Sequence, residues 1–389
     1  MKEKILDLLK KDILRKNDKT IALHEPAFIG NESKYTKDCI DTGWVSSVGQ
    51  YVTNFELKLA EYTKHPYSVV TTNGTSALHI ALLAAGVQCG DEVLIPSFTF
   101  VAAANAVTYC GATCHFVDSD HKSLAVDPIK LEEYLAENTY KKEQSLFNKK
   151  TNKVIRALLV VHIFGHPADL DALNTVCEKY SIELIEDASE SLGSFYKEKH
   201  TGHWSRFSVL SFNGNKIVTT GGGGAVLLKD ESIAKKIKHL TTTAKVPHAW
   251  EFNHDAVGYN YRMPNINAAL GCAQLENLPL FVDVKRNLAK YYLDLFKNID
   301  EFKVFKEPSY ARSNYWLNCI LLEPKYVHLK NDVIGFLHKN QILVRPAWTL
   351  MHKLPMYSKN PRMNLSNAED LESRIINLPS GYGIGLKVK

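Results

Sequence analysis

From residue 66 onward short apolar runs alternate with amphipathic stretches, and this rhythm restricts the fold more than any other feature of the chain. Tyr67-Ser68-Val69-Val70 reads as a strand, the stretch from Gly74 to Ala81 opens a helix, and Val93-Leu94-Ile95-Pro96 is a second strand. A helix over 100–107 and a strand at His115-Phe116-Val117 follow. The alternation resumes with the strand Ala157-Leu158-Leu159-Val160-Val161, a helix over 168–180 and the strand Ile182-Glu183-Leu184-Ile185. Apolar strands spaced by helices leave no face for water. The reading is therefore an α/β fold, with a mostly parallel sheet flanked by helices.

The flanks of this pattern divide the chain. Apolar positions at helical spacing (Ile5, Leu8, Leu9, Ile13) predict an N-terminal helix over 3–15, either packed on the body or a partner or frayed. A helix near 31–41 is stopped by Gly43, and the Trp44-Val45-Ser46-Ser47 that follows suits a ligand cleft or a buried anchor. Residues 138–154 are polar and lysine-rich and read as a solvated surface insertion. Past 275 the units thin to a long helix over 276–298, a strand over 315–322 and a helix near 330–340, a smaller C-terminal α+β domain. The expected division is an N-terminal helix at 1–20, a large α/β domain at 21–275 and the small domain at 276–389. The glycine-rich ending, 381–386, reads as poorly ordered.

At 389 residues with a formal net charge of +5, the chain carries a mild, dispersed positive charge, so no nucleic-acid partner is expected. Seven cysteines without a Cys-x-x-Cys pair read as reduced core residues. The mixed-charge N-terminus is not a signal peptide and no apolar run reaches membrane-spanning length, so the expected location is the cytoplasm, away from membranes.

Four separated stretches carry chemistry. Lys216 lies on a turn between the apolar strands 207–212 and 225–228 and is followed by Gly221 to Gly224, where backbones must approach something closely. Asn73-Gly74-Thr75-Ser76 offers backbone amides and hydroxyls at a helix start, a phosphate cup if it is more than a cap. Glu186-Asp187-Ala188-Ser189-Glu190 ends a strand, where open α/β sheets bind ligands. Pro96-Ser97-Phe98-Thr99-Phe100 ends another and supplies an aromatic face. Phosphate cup, ring stack, carboxylate for a pyridine nitrogen and an amine able to form a Schiff base are the demands of pyridoxal 5'-phosphate. The histidines are scattered without metal-ligand spacing, so no metal is expected.

These stretches, together with Gly258-Tyr259-Asn260-Tyr261-Arg262-Met263 and Ala268-Ala269, resemble the DegT/StrS-type nucleotide-sugar aminotransferases from about residue 22 to 380. The resemblance implies a fold-type I pyridoxal-phosphate enzyme that aminates a nucleotide-linked keto-sugar for surface-glycan amino sugars, with L-glutamate as donor and 2-oxoglutarate as by-product. It implies that Lys216 and Asp187 are catalytic, and that Gly74, Thr75, Ser76 and Ser211 hold the phosphate. Phe100 would stack on the ring and Glu190 would lie near the phenolic oxygen. Asn260 would reach the neighbouring subunit's phosphate, which makes the protein a homodimer with shared active sites. Trp44, Ser46, Ser47, Arg262, Trp348 and His352 are further candidates for substrate contacts.

Trp44-Val45-Ser46-Ser47, His162-Ile163-Phe164-Gly165-His166-Pro167 and the Asn-Gly-Asn-Lys form of the lysine loop are similar to the branch that aminates UDP-4-keto-6-deoxy-N-acetyl sugars in legionaminic-acid or bacillosamine-type pathways. The chain departs from its relatives at Gly221-Gly222-Gly223-Gly224, where many carry Gly-Glu-Gly-Gly, at His203-Trp204-Ser205-Arg206, and in its short C-terminus. The alternatives are an aminotransferase for a GDP- or dTDP-linked sugar or a free keto-sugar acid, a sugar dehydratase, which the lysine opposes, and a non-catalytic regulator.

Overall fold

The computed structural model describes residues 1–12 and 20–388. Among these, a nine-stranded sheet runs in the order Tyr67–Thr71, Gly224–Leu228, Phe207–Ser211, Glu183–Asp187, Val154–Val161, Glu92–Pro96 and Thr113–Val117, with two hairpin strands off this path. Gly224–Leu228 runs antiparallel to both its neighbours, and the pairs from Phe207–Ser211 onward are parallel. Val93, Leu94, Ile95, Leu159, Val160, Ile185, Val209 and Val226 are buried, because helices cover both faces. One face packs on the helices Gly74–Ala84 and Val101–Tyr109, the other on Pro128–Asn138 and Leu170–Tyr180. Gly74–Ala84 is apolar on every side, with Ser76 through Leu82 buried, so it inserts into the core and presents only its N-terminus to the strand ends.

A second, antiparallel sheet runs Phe302–Val304, Asn318–Leu322, Ile375–Leu378 and Arg345–Pro346. The helix Lys2–Asp12 inserts Ile5, Leu6 and Leu9 into the core of this C-terminal part, against Leu288, Tyr292 and Leu337. The N-terminal helix is thus docked; Ile13 and the remainder of 13–19 lie outside the described residues.

Four expectations need correction. Residues 138–154 are not a simple surface insertion: Thr139–Lys142 and Ser145–Asn148 pair as a hairpin that continues onto Val154–Val161. Their lysines are exposed as expected, but Tyr140 stacks on Phe147 at 5.4 Å. Buried Glu92 accepts hydrogen bonds from Asn148 Nδ2 (2.9 Å) and Thr151 Oγ1 (2.5 Å), which ties the hairpin down. The long helix is two, Asn265–Glu276 and Leu278–Leu295, because Asn277 closes the first and Pro279 suits the first turn of the second. The strand over 315–322 shortens to Asn318–Leu322, since Tyr315 has left-handed backbone (φ 48°). The glycine-rich ending forms the short helix Tyr382–Gly385. A Cβ on Gly385 would lie 2.5 Å from Val284 Cγ1, so that glycine marks a close approach and not disorder. All seven cysteines are free, and Cys89 alone among them is exposed. No described helix is long and apolar enough to cross a membrane.

Candidate active site

The carboxyl ends of the parallel strands converge on a cavity of ≈370 Å³. Its first wall is the N-terminus of the helix Gly74–Ala84. Asn73 caps that helix, its Oδ1 accepting from Ser76 N at 2.8 Å, while Ser76 Oγ donates to Asn73 O at 2.8 Å. The hydroxyl of Ser76 is used by this cap, and Ser76 does not line the cavity. The amides of Gly74 and Thr75, in the first turn, have no intrahelical acceptor. A Cβ on Gly74 would fall 2.8 Å from Ser211 Cβ, so glycine is what keeps the cup open beside Ser211 and Ser189. Gly224 does the same from the other side: its Cβ would lie 2.5 Å from Asn73 O.

The second wall is the end of strand Glu183–Asp187. Asp187 Oδ1 accepts from Ser189 N at 3.0 Å, and Glu190 Oε2 accepts from Phe164 N at 2.8 Å. Burial pushes both carboxyls upward, opposed at Asp187 by the Ser189 bonds and the charge of Lys216, and at Glu190 by Lys216 and the Phe164 amide. Behind them, Glu186 accepts from the amides of Gly202, Trp204 and Ser205 and faces His162 Nε2 at 3.1 Å. Burial works against its charge, but these bonds win and hold it down at about 2. An anion fixed this way anchors the strand end from which Asp187 projects.

Lys216 closes the third wall. Its loop is gathered at the base, Phe212 N donating to Gly223 O and Thr220 N to Phe212 O. Lys216 Nζ lies 3.3 Å from Glu190 Oε1 and 3.8 Å from the centroid of the Trp316 ring. Phe100 and Trp348, 6.2 Å apart, supply the aromatic rim, and Phe100 is 53% exposed at the mouth. Gly74, Thr75, Phe100, Asp187, Glu190, Ser211, Lys216 and Trp348 therefore meet in one place.

Other sequence candidates stand elsewhere. Arg262 is held toward Glu56 (3.9 Å), and His352 lies behind the rim, its Nδ1 2.7 Å from Ser97 Oγ. Asn260 is exposed and bridges to Thr242. Trp44 lines a separate open groove with Asn265, whose Nδ2 donates to Trp44 O, and Ser46 O accepts from Asn265 N. Ser47 is half-buried beside this groove's loop. The sequence reading missed Ser189, Asn213, Asn215 and Trp316, all of which line the cavity. Ser189 lay inside a stretch already singled out, whereas Trp316 carried no motif of its own.

Residues 27–387 match the DegT/DnrJ/EryC1/StrS aminotransferase family. The chain is 38% identical over 363 residues to the GDP-perosamine synthase of Escherichia coli O157:H7, covering 93% of each. It is 32% identical to the UDP-4-amino-4,6-dideoxy-N-acetyl-β-L-altrosamine transaminase of Campylobacter jejuni, covering 91% of this chain and 90% of that one. The Helicobacter pylori aminotransferase PseC, described as involved in the biosynthesis of pseudoaminic acid, has the same fold, with a TM-score of 0.85 at 24% identity over 95% of this chain and 98% of that one.

Proposed function

Since the chain belongs to the DegT/DnrJ/EryC1/StrS aminotransferase family and is a pyridoxal-phosphate-dependent sugar aminotransferase, we propose that it moves the amino group of L-glutamate to the 4-keto carbon of a nucleotide-linked 4-keto-6-deoxy sugar, releasing 2-oxoglutarate. The observation that carries this reading is Lys216 Nζ beside Glu190 in a cavity that also holds buried Asp187 and the open cup at Gly74.

These residues fit the cofactor. The cup exists because Gly74 lacks a Cβ, and its amide, that of Thr75 and the hydroxyls of Thr75, Ser189 and Ser211 would hold the phosphate. Asp187 would pair with the ring nitrogen, Phe100 would cover the ring, and Lys216 would bind the aldehyde carbon. When bound, pyridoxal phosphate supplies a carbonyl that accepts and returns an amino group and a ring that withdraws electron density. The chain's own work is proton handling and exclusion of water. With the cofactor bound, Lys216 Nζ would hold and move the proton of the reacting carbon, and Glu190 at 3.3 Å would orient it. Asp187, pushed toward neutrality by burial, would gain a countercharge from a pyridinium paired with it, which would favour its ionised form.

For the nucleotide, Trp44-Val45-Ser46-Ser47 and the Asn213-Gly214-Asn215-Lys216 loop favour a UDP-linked N-acetyl sugar, UDP-4-keto-6-deoxy-N-acetylglucosamine. A GDP-linked sugar is the second reading, favoured by the greater identity to GDP-perosamine synthase. We read the active unit as a homodimer. Trp250, Phe252 and Val257, each at least 77% exposed, sit on the segment leading to Asn260, and a second copy would cover them and receive Asn260 at its own site.

Mass spectrometry of the sugar product, after incubation with pyridoxal phosphate, L-glutamate and either the UDP- or the GDP-linked 4-keto-6-deoxy sugar, tests the assignment. Replacement of the keto oxygen by an amino group with stoichiometric 2-oxoglutarate is expected for one of them, and failure with both and with the dTDP-linked sugar ends the 4-keto-6-deoxy reading. Lys216→Ala should abolish turnover; full activity in that variant would overturn the role of the lysine.

A further inference from the structure

Trp316 enters the cavity from the lead-in to strand Asn318–Leu322, and its surroundings tie it to Lys216 more closely than packing requires. A buried indole N–H needs some acceptor. Here Trp316 Nε1 donates to Asn215 O at 2.8 Å, the residue before the lysine, so the ring is fastened to the backbone of the loop whose side chain lies on its face. Its own amide donates to Asn314 Oδ1 at 2.8 Å, and Asn314 Nδ2 donates to the carbonyls of Glu190 and Leu192, both at 2.9 Å. That bond chain leads to Glu190, the other neighbour of Lys216 Nζ. The Trp316 carbonyl accepts from buried Lys285 Nζ at 3.0 Å. The left-handed backbone at Tyr315 (φ 48°) is a conformation a side-chain-bearing residue keeps only when its surroundings impose it.

We propose that Trp316 is a positioning residue for Lys216: its ring face holds the side-chain nitrogen beside Glu190 whenever that nitrogen is not bonded to the cofactor. This rests on the aminotransferase reading above. A free lysine samples many rotamers. An aromatic face attracts a cation placed over it, and a lysine kept there returns to the cofactor's aldehyde from one geometry.

The test follows bond formation instead of turnover. The full chain is freed of cofactor, mixed with saturating pyridoxal phosphate and quenched at intervals with borohydride. In the trapped reaction the lysine nitrogen gives its extra proton to solvent, its freed lone pair bonds to the aldehyde carbon, and the aldehyde oxygen leaves as water with the amine's two hydrogens. Borohydride then delivers hydride to carbon, solvent supplies the proton to nitrogen, and peptide mass spectrometry counts the mark on Lys216. Trp316→Phe, which keeps a ring face, should trap within about twofold of the unaltered chain, and Trp316→Leu about tenfold more slowly with an unchanged melting midpoint. Should Trp316→Leu fail to fold, Trp316→Met, larger in reach but ringless, takes its place. Equal rates for the ringed and ringless variants overturn the proposal alone. No mark on Lys216 in the unaltered chain overturns the aminotransferase reading and this proposal with it.

Discussion

Asp187 and Glu190 sit three residues apart on the same strand end and are pushed in the same direction by burial, yet only Glu190 has the lysine amine as a direct partner. Asp187 is left with the Ser189 amide and an open side toward the cavity, the arrangement of a carboxylate that awaits a cation. Asp187→Asn keeps the shape and removes the charge. It should lower turnover by about 10²–10³-fold, and steady-state kinetics with glutamate in excess would show it mainly in kcat. The stretch holding both carboxylates was legible because strand ends of open sheets are where ligands bind. Trp316 was not: it lies 101 positions from Asn215 and meets that residue only through the tertiary fold. Asn260 is a different case, since the role its motif implies involves a second chain, and no single chain can display it.

At the scale of elements, the glycine run after the lysine separates into positions that need glycine and positions that do not. A Cβ at Gly224 would strike the backbone of Asn73 and Gly74, whereas at Gly222 the nearest atom is Thr72 O at 3.7 Å. Gly224→Ala should cost roughly 1–3 kcal/mol and weaken cofactor retention. Gly222→Ala should be neutral or up to about 1 kcal/mol stabilising, as denaturant midpoints would report. The helix Leu278–Leu295 makes a pH-dependent prediction. Lys285, fully buried on it, donates to the carbonyls of Trp316 and Ser380, and burial pushes its amine down from 10.5 to about 7. Between those values the unfolded chain binds a proton that the folded chain does not, so stability from this group rises as pH goes from 7 to 10.5. Lys285→Met should flatten that rise in melting-temperature scans. The helix itself was readable from its period, but its separation from Asn265–Glu276 was not, because the apolar spacing continues across Asn277.

For the molecule as a whole, the proposed homodimer with shared sites makes a prediction that a monomer cannot meet. Chains carrying Lys216→Ala and chains carrying Asn260→Ala should each be inactive alone. Unfolded together and refolded, they should recover about a quarter of wild-type activity, because each mixed dimer holds one site with both residues intact. Recovery no greater than the sum of the two preparations would place Asn260 outside the partner's site. The overall α/β architecture was legible because the alternation of strands and helices spans most of the chain. The hairpin Thr139–Lys142/Ser145–Asn148 was hidden because its exposed lysines mask an anchor at Glu92, which comes from another strand.

Among the described residues, the strand Tyr67–Thr71, beside the phosphate cup, pairs in the main sheet with Gly224–Leu228 and with no earlier strand. At about 5–20 residues per second, a ribosome spends roughly 8–30 s making the stretch between them. Throughout that interval the nascent chain carries an unpaired strand and an unfinished cup, and the lysine loop emerges just before the strand that completes both. The active site is therefore among the last features of the large sheet to exist during synthesis, and a chain stalled before residue 224 can neither pair that edge nor close the cup against Asn73.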